Sequence, residues 1–242
     1  MVKACTLFST CARQPRGDGV AVINISGGEV ALTCDLAHDV ELRFPALARA
    51  TNNALVSALP DYATPANPLD ATSAALSDPH IYVKAMQALL GDPQVSLVAV
   101  SQDCPAGLSD EAARGCRKLA VATLEVSEAA LKPIVFYSNV AGPLHPLTVE
   151  PLLGSRGPVL HGAKPALAAI RAFVDWHNRV PGVKQKVDHF SPDSGWRDRL
   201  SSGRALTEHE AKRFLAEHGI RVTRESLASS AVDAVKVGAG GG

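Results

Sequence analysis

Three consecutive residues, Ser26, Gly27 and Gly28, are the ones in this chain best suited to hold a reacting group. They follow the apolar, β-branched run Val20 to Ile25 and lead into a helical pattern from about Gly28 to His38. A strand that turns sharply into a helix presents N–H groups with no internal acceptor, and the aligned peptide dipoles add partial positive charge. A phosphoryl group can dock at such an end, with glycines keeping Cβ atoms out of its approach. The same glycines also serve to pack a helix against a strand, and at this level both readings stand. Glu29, in the first turn, suits the dipole but repels a bound phosphate if it points the same way.

Other reactive side chains are placed less well. His161 stands at an expected strand end and is the best positioned of the eight histidines; His145, between Pro143 and Pro146, comes second. The remaining histidines read as helix-end or surface residues. Cys34 reads as a small core residue of the first helix, whereas Cys104 follows a strand and is open to exposure. Asp103 and Asp110 lack metal-ligand spacing. Trp176 and Trp196 read as packing residues at a domain edge.

The elements that position these residues alternate strand-like and helix-like from Gly19 onward. Leu42 to Leu47 reads as a second strand or an extended segment, and Thr51 to Leu59 as a helix capped by Thr51 and ended by Pro60. The proline-rich stretch Asp61 to Asp70 cannot continue a helix or a central strand and reads as a shaped loop. Helix His80 to Leu90, strand Val95 to Val100, a helix opened by Ser109-Asp110-Glu111 and reaching about Ala130, and strand Pro133 to Tyr137 follow. After the loop Asn139 to Pro146, a last strand and helix run from Pro158 through Trp176.

This order predicts an α/β fold, a flavodoxin-like, doubly wound and mostly parallel five-stranded sheet, with ligands gathered at the carboxyl ends of its strands. The Ser26 turn and the Asn67-Pro68-Leu69-Asp70 loop both fall at such ends in this reading. The expected division is an N-terminal extension over 1–16, the flavodoxin-like domain over 17–180, a polar linker over 181–205, a short α/β stub over 206–235 and a glycine-rich tail over 236–242. The stub opens on Thr207-Glu208-His209-Glu210, which has the form of a capping box, with a helix from Ala211 to His218, a stop at Gly219 and the strand-like Ile220-Arg221-Val222.

Composition narrows the function classes. The 24 basic and 24 acidic side chains cancel, so no overall field draws in nucleic acid or an anionic membrane, and anion binding must be local. The five cysteines form no C-x-x-C pair, against a disulfide framework or zinc cluster and in favour of a reduced cytoplasmic setting. No apolar run suggests a membrane span or a secretory leader.

Gly19-Val20-Ala21-Val22-Ile23 with Ser26-Gly27-Gly28, the loop from Leu59-Pro60 to Asn67-Pro68-Leu69-Asp70, and Leu206-Thr207-Glu208-x-Glu210-Ala211-Lys212 with His218-Gly219-Ile220 together resemble the NDP-forming (ADP-forming) acyl-CoA synthetases, relatives of succinyl-CoA synthetase. The resemblance covers roughly residues 17 to 230. It implies that the first region is the second flavodoxin-like CoA-ligase domain and that Leu206 opens an ATP-grasp domain. It further implies a reaction of a carboxylic acid, CoA and ATP to give acyl-CoA, ADP and phosphate through an acyl phosphate and a phosphohistidine. On this resemblance Ser26, Gly27 and Gly28 hold the phosphoryl group, while Asn67 and Asp70 shape the neighbouring loop or its contact with a partner domain. Mg2+ would accompany ATP rather than bind this chain.

The departures are as informative. The chain has no Ser-His-Thr-Gly segment of the kind that bears the phosphohistidine, no CoA-binding Rossmann unit and little of the ATP-grasp domain. Other synthetase domains or subunits are therefore expected as partners. An aryl or phenylpropenoic acid such as ferulate ranks ahead of a short acid such as acetate, on an apolar surround expected at Tyr62 and Tyr137. The alternatives are a non-catalytic interaction subunit or fragment of a larger synthetase, and an FMN-binding flavodoxin-like module.

Overall fold

The computed structural model describes residues 2–153, 158–179 and 194–239. They fall into two compact units, Met1–Val180 and Pro181–Gly242.

In the first unit, helix α1 (Val2–Thr10) precedes strand β1 (Val20–Asn24), helix α2 (Gly27–Asp39) and helix α3 (Arg49–Ala58). Strand β2 (Leu69–Asp70), helices α4 (Ala74–Ser77) and α5 (Pro79–Gly91) and strand β3 (Leu97–Ser101) follow. Helix α6 (Asp110–Ala129), strand β4 (Ile134–Ser138), helix α7 (Pro146–Leu152), strand β5 (Val159–His161) and helix α8 (Ala163–Asn178) complete it. The five strands are parallel in the order β2-β1-β3-β4-β5, the flavodoxin-like arrangement expected from the sequence.

Because side chains alternate across a strand, each central strand feeds two cores. Ala21 and Ile23 of β1 join Tyr82 and Met86 of α5 and Leu119 of α6 on one face. Val20 and Val22 join Leu160 of β5 and Ile170 and Phe173 of α8 on the other. Each fully buried Leu, Ile or Phe contributes about 1.5–3 kcal/mol, so the sheet is anchored from both sides. Helix α1 belongs to the second core: its Leu7 is fully buried, and Phe8 packs edge-on against Phe173 with ring centroids 5.1 Å apart. Residues 2–10 of the expected N-terminal extension thus form a helix packed on the domain.

Several local expectations change. Leu42 to Leu47 forms no strand, and Pro45 within it has no N–H to offer a ladder. The second strand is instead β2, the last two residues of the proline-rich loop, which pair at the sheet edge where the prolines before them break no ladder. Thr51 lies inside α3, whose N-cap is Ala48. The cap comes from outside the helix: the Asp92 carboxylate accepts the Ala48 N–H at 2.8 Å.

In the second unit, helix α9 (Ser194–Ser201) lies within the stretch expected as a linker, whose residues 181–193 are outside the described ones. Helix α10 (Glu208–Glu217) opens on the expected capping box between Thr207 and Glu210. Trp196 is buried against Phe214, with ring centroids 5.4 Å apart. Ile220-Arg221-Val222 forms no strand, and helix α11 (Ala231–Ala239) runs into the stretch expected as a tail, leaving 240–242 outside the described residues.

Candidate functional site

Strand order reverses beside β1, so the crevice beyond the carboxyl ends of β1 and β3 is where this topology leaves room for a ligand. The Ser26 turn stands there. Ser26 is extended (φ −155°, ψ 152°) and caps α2, its Oγ accepting the Glu29 N–H at 3.3 Å. Ser26, Gly27 and Gly28 are all exposed. The Gly27 and Gly28 N–H groups occupy the first helical positions, which have no intrahelical acceptor.

The glycines can be tested against the packing alternative. Among the described residues, a Cβ built on Gly28 meets nothing within 4 Å, and one on Gly27 makes only an ordinary contact, 3.7 Å from Asp70 Oδ2. Neither residue has positive φ. Packing and backbone geometry therefore require glycine at neither position. Gly19 is the opposite case: a Cβ there lies 1.9 Å from the Gln94 carbonyl oxygen and 2.9 Å from Pro45 Cγ.

The entrance is acidic. Glu29 folds back so that its Oε2 accepts the Ile25 N–H at 3.0 Å. Burial pushes its carboxyl above the usual range; the Ile25 N–H opposes this, and the Asp103 and Asp70 carboxylates add to it. Asp103 is held by the N–H groups of Asn139 (2.7 Å) and Val140 (3.2 Å), which tie the ends of β3 and β4 together. Asp70 Oδ1 accepts the Thr72 N–H at 2.8 Å and fixes a residue held at φ 65°, a costly conformation for a β-branched side chain.

Below the entrance lies a layer of buried polar groups. Thr33 donates to Asn24 Oδ1 at 3.2 Å and meets the Tyr137 hydroxyl at 3.3 Å. Burial pushes the Tyr137 phenol up to about 12, against hydrogen bonds from Thr33 and Ser101. The amide nitrogens of Asn24 and Gln102 are buried without hydrogen-bond partners among the described residues. This network had little signature in the sequence, since Asn24, Thr33 and Gln102 sit among apolar strand and helix residues.

Asn67 and Asp70 divide. Asp70 ends β2 opposite Asn24 and faces Gly27. Asn67 precedes β2: its Nδ2 donates to the Val20 carbonyl (2.9 Å) and the Pro45 carbonyl (3.2 Å), and its Oδ1 accepts the Val22 N–H at 3.2 Å. It thus holds the lower half of β1, away from the Ser26 end. His161 ends β5, three strands from β1, or about 14 Å at the usual strand spacing. Its Nδ1 is 3.1 Å from the Gly142 carbonyl. His145 is buried and caps α7, with Nε2 3.3 Å from Asp110. Neither histidine joins the Ser26 site.

Three further expectations are corrected. Cys34 is exposed, because α2 turns Thr33 and Ala37 to the core, and Cys104 is buried beside Cys116. Tyr137 is fully buried while Tyr62 is 74% exposed, so the two form no aromatic surround for an acid. Among the described residues no group of three or more His, Cys, Asp or Glu side chains is placed to hold a metal ion, and no helix is long and apolar enough to cross a membrane.

No protein-family model matches the chain. Over 85 residues it is 38% identical to a trans-feruloyl-CoA synthase from an unknown prokaryotic organism, a match that takes in 35% of this chain and 12% of that protein. In fold it is similar to PH0766 from Pyrococcus horikoshii, with a TM-score of 0.58 and 26% identity over 72% of this chain and 38% of that one. It is also similar to the dinucleotide-forming acetyl-coenzyme A synthetase 1 of Ca. Korarchaeum cryptofilum. The apo form gives a TM-score of 0.54 at 21% identity, and the complex with phosphate and ADP 0.51 at 22%, each over 74% of this chain and 38% of that one. The chain spans about two-fifths of these solved relatives and about an eighth of the curated one. The chain is thus similar in sequence to a feruloyl-CoA synthase over about a third of its length and similar in fold to an acetyl-coenzyme A synthetase.

Proposed function

We propose that this chain, similar in sequence and fold to the NDP-forming acyl-CoA synthetases, supplies the flavodoxin-like module of an ATP-dependent acid–CoA ligase. In this reading the amino end of α2 holds a phosphoryl group in transit between an acyl phosphate and ADP. One observation carries it. Gly27 and Gly28 stand where a side chain would fit and where no positive φ calls for glycine, so the open space serves a group that comes from outside the fold. The Gly27 and Gly28 N–H groups stand at the first helical positions, without an intrahelical acceptor, and donors oriented in advance stabilise the charge of a transferring phosphoryl group without reorganising.

The acidic entrance defines the rest of the machinery. The charges acting on Glu29 are the carboxylates of Asp103 and Asp70, so a phosphoryl group approaching Gly28 meets repulsion that the helix end offsets only in part. A cation must arrive with it, either Mg2+ carried by ATP or a basic side chain from another domain. The second unit, with its capped α10, would open the ATP-grasp domain, and the phosphohistidine and CoA sites would come from further domains or subunits. The acid would be a phenylpropenoic acid such as ferulate, supported by the feruloyl-CoA synthase relative, with acetate the next choice.

The test is reconstitution. The chain combined with the remaining synthetase domains, ATP, Mg2+, CoA and a panel of acids should form a thioester, and Gly28→Val should abolish it while leaving the circular dichroism spectrum unchanged. Full turnover by the Gly28→Val protein would remove the α2 end from the reaction.

A further inference from the structure

We propose a second binding site at the amino-terminal edge of the sheet, opposite Ser26, for an amphipathic organic anion: an apolar chain ending in a carboxylate or phosphate. Two cavities meet there. One, of about 470 Å³, is lined by Arg13, Arg16 and Lys132, and none of the described residues that line it is acidic. The other, of about 490 Å³, is an apolar groove between α5 and α6 with Val83, Leu90 and Val126 in its walls. Leu131 and Lys132 line both, so a cationic recess and an apolar groove adjoin at these two residues. Each cavity lies in the size range of small-molecule sites, about 300–1,000 Å³.

Neither Arg13 nor Arg16 forms an ion pair among the described residues, and the one carboxylate acting on Lys132 is that of Asp92. Arg13 donates to the Glu128 backbone carbonyl at 3.1 Å and Lys132 to the Asp92 backbone carbonyl at 2.6 Å, both uncharged acceptors. The Asp92 carboxylate nearby is committed to the N–H groups of Ala48 and Gln94. Arg16 makes no hydrogen bond or ion pair among the described residues. Partial burial draws the Lys132 ammonium below its usual range against the pull of Asp92, as expected of a cation short of solvent. Beside these charges Leu131 is 93% exposed. A carboxylate or phosphate head would satisfy the cations while its chain covered Leu131 and entered the groove. Glu125, on the groove wall, would repel a ligand entering head first from that side.

Octanoate is the probe, with acetate carrying the charge alone and 1-octanol the chain alone, and amide shifts of the whole chain as the readout. Octanoate should shift the Ser96, Leu131 and Lys132 amides saturably and bind at least about tenfold more tightly than either control. The Arg16→Glu/Leu131→Glu double variant, which alters two exposed side chains, should lose that binding while keeping its circular dichroism spectrum. Gly28→Val should bind octanoate as the parent does, which keeps this site separate from the fate of the α2 site. Acetate or octanol binding as tightly as octanoate, or octanoate binding unaltered by the double variant, would overturn the proposal. A long-chain phosphate monoester in place of octanoate then distinguishes the two head groups.

Discussion

The Glu29 carboxylate accepts the Ile25 N–H at 3.0 Å, so the helix that presents the Ser-Gly-Gly turn carries an anion of its own at its entrance. Its carboxyl is raised first by burial and then by Asp103 and Asp70. An acid whose pKa is higher folded than unfolded binds its proton more tightly when folded, and its ionisation therefore lowers stability as pH rises through the folded pKa.

Glu29→Gln keeps an oxygen for the Ile25 N–H and removes the charge. The variant should be more stable than the parent at pH 7, and the difference should vanish as the pH falls below the unfolded carboxyl value of about 4.3. Urea midpoints measured across that range check this. The same variant should bind inorganic phosphate more tightly, read from the Gly27 and Gly28 amides; weaker binding would make Glu29 part of the ligand's support.

Gly28→Ala separates packing from ligand approach. With open space around the added methyl and alanine the better helix former, stability should hold or rise by up to about 1 kcal/mol. Phosphate binding and reconstituted ligase activity should fall. A loss of stability instead would return the glycine to a packing role.

Gly19→Ala should do the reverse. The added Cβ would overlap the Gln94 carbonyl oxygen at 1.9 Å, so β1 or the strand-leading segment before β3 must shift, at a cost of about 1–3 kcal/mol or more. Thermal unfolding should show a lowered midpoint with the site chemistry otherwise intact.

These contrasts show what the sequence could and could not reveal. β1, β3 and β4 were legible because parallel strands buried on both faces read as continuous apolar runs. β2 was not, because Leu69 and Asp70 are two residues at the end of a proline-rich loop, aligned by Asn67 reaching back to the Val20 and Pro45 carbonyls. The Ser26 turn was legible from local spacing alone. The acidic entrance was not, since Glu29, Asp70 and Asp103 are distant in sequence and meet only where strand order reverses. Asn67 and Asp70 belong to one loop by sequence, yet Asn67 precedes the two-residue strand and Asp70 ends it, at opposite ends of β1. For the cap of α3 the sequence offers only local candidates such as Thr51, whereas the structure draws the carboxylate from Asp92.

That cap yields the last prediction. Asp92 is fully buried; one oxygen takes the Ala48 N–H and the other the Gln94 N–H, each at 2.8 Å. Burial pulls its carboxyl upward, but hydrogen bonds from Thr51, Ala48 and Gln94, with the nearby Lys132 charge, outweigh that and hold it below the usual range. Because the folded pKa is depressed, Asp92 contributes stability that is fully present above its unfolded value of about 3.9 and lost as the pH falls through the folded one. Asp92→Ala leaves two buried N–H groups unmatched and should cost about 2–4 kcal/mol at pH 7, from the cap and the desolvated donors together. The cost should shrink on acidification, since below the folded pKa the parent also lacks the charge. Denaturation at neutral and acid pH measures both, and a cost that stays constant across that range would show that the carboxylate's charge plays no part in holding α3 to the start of β3.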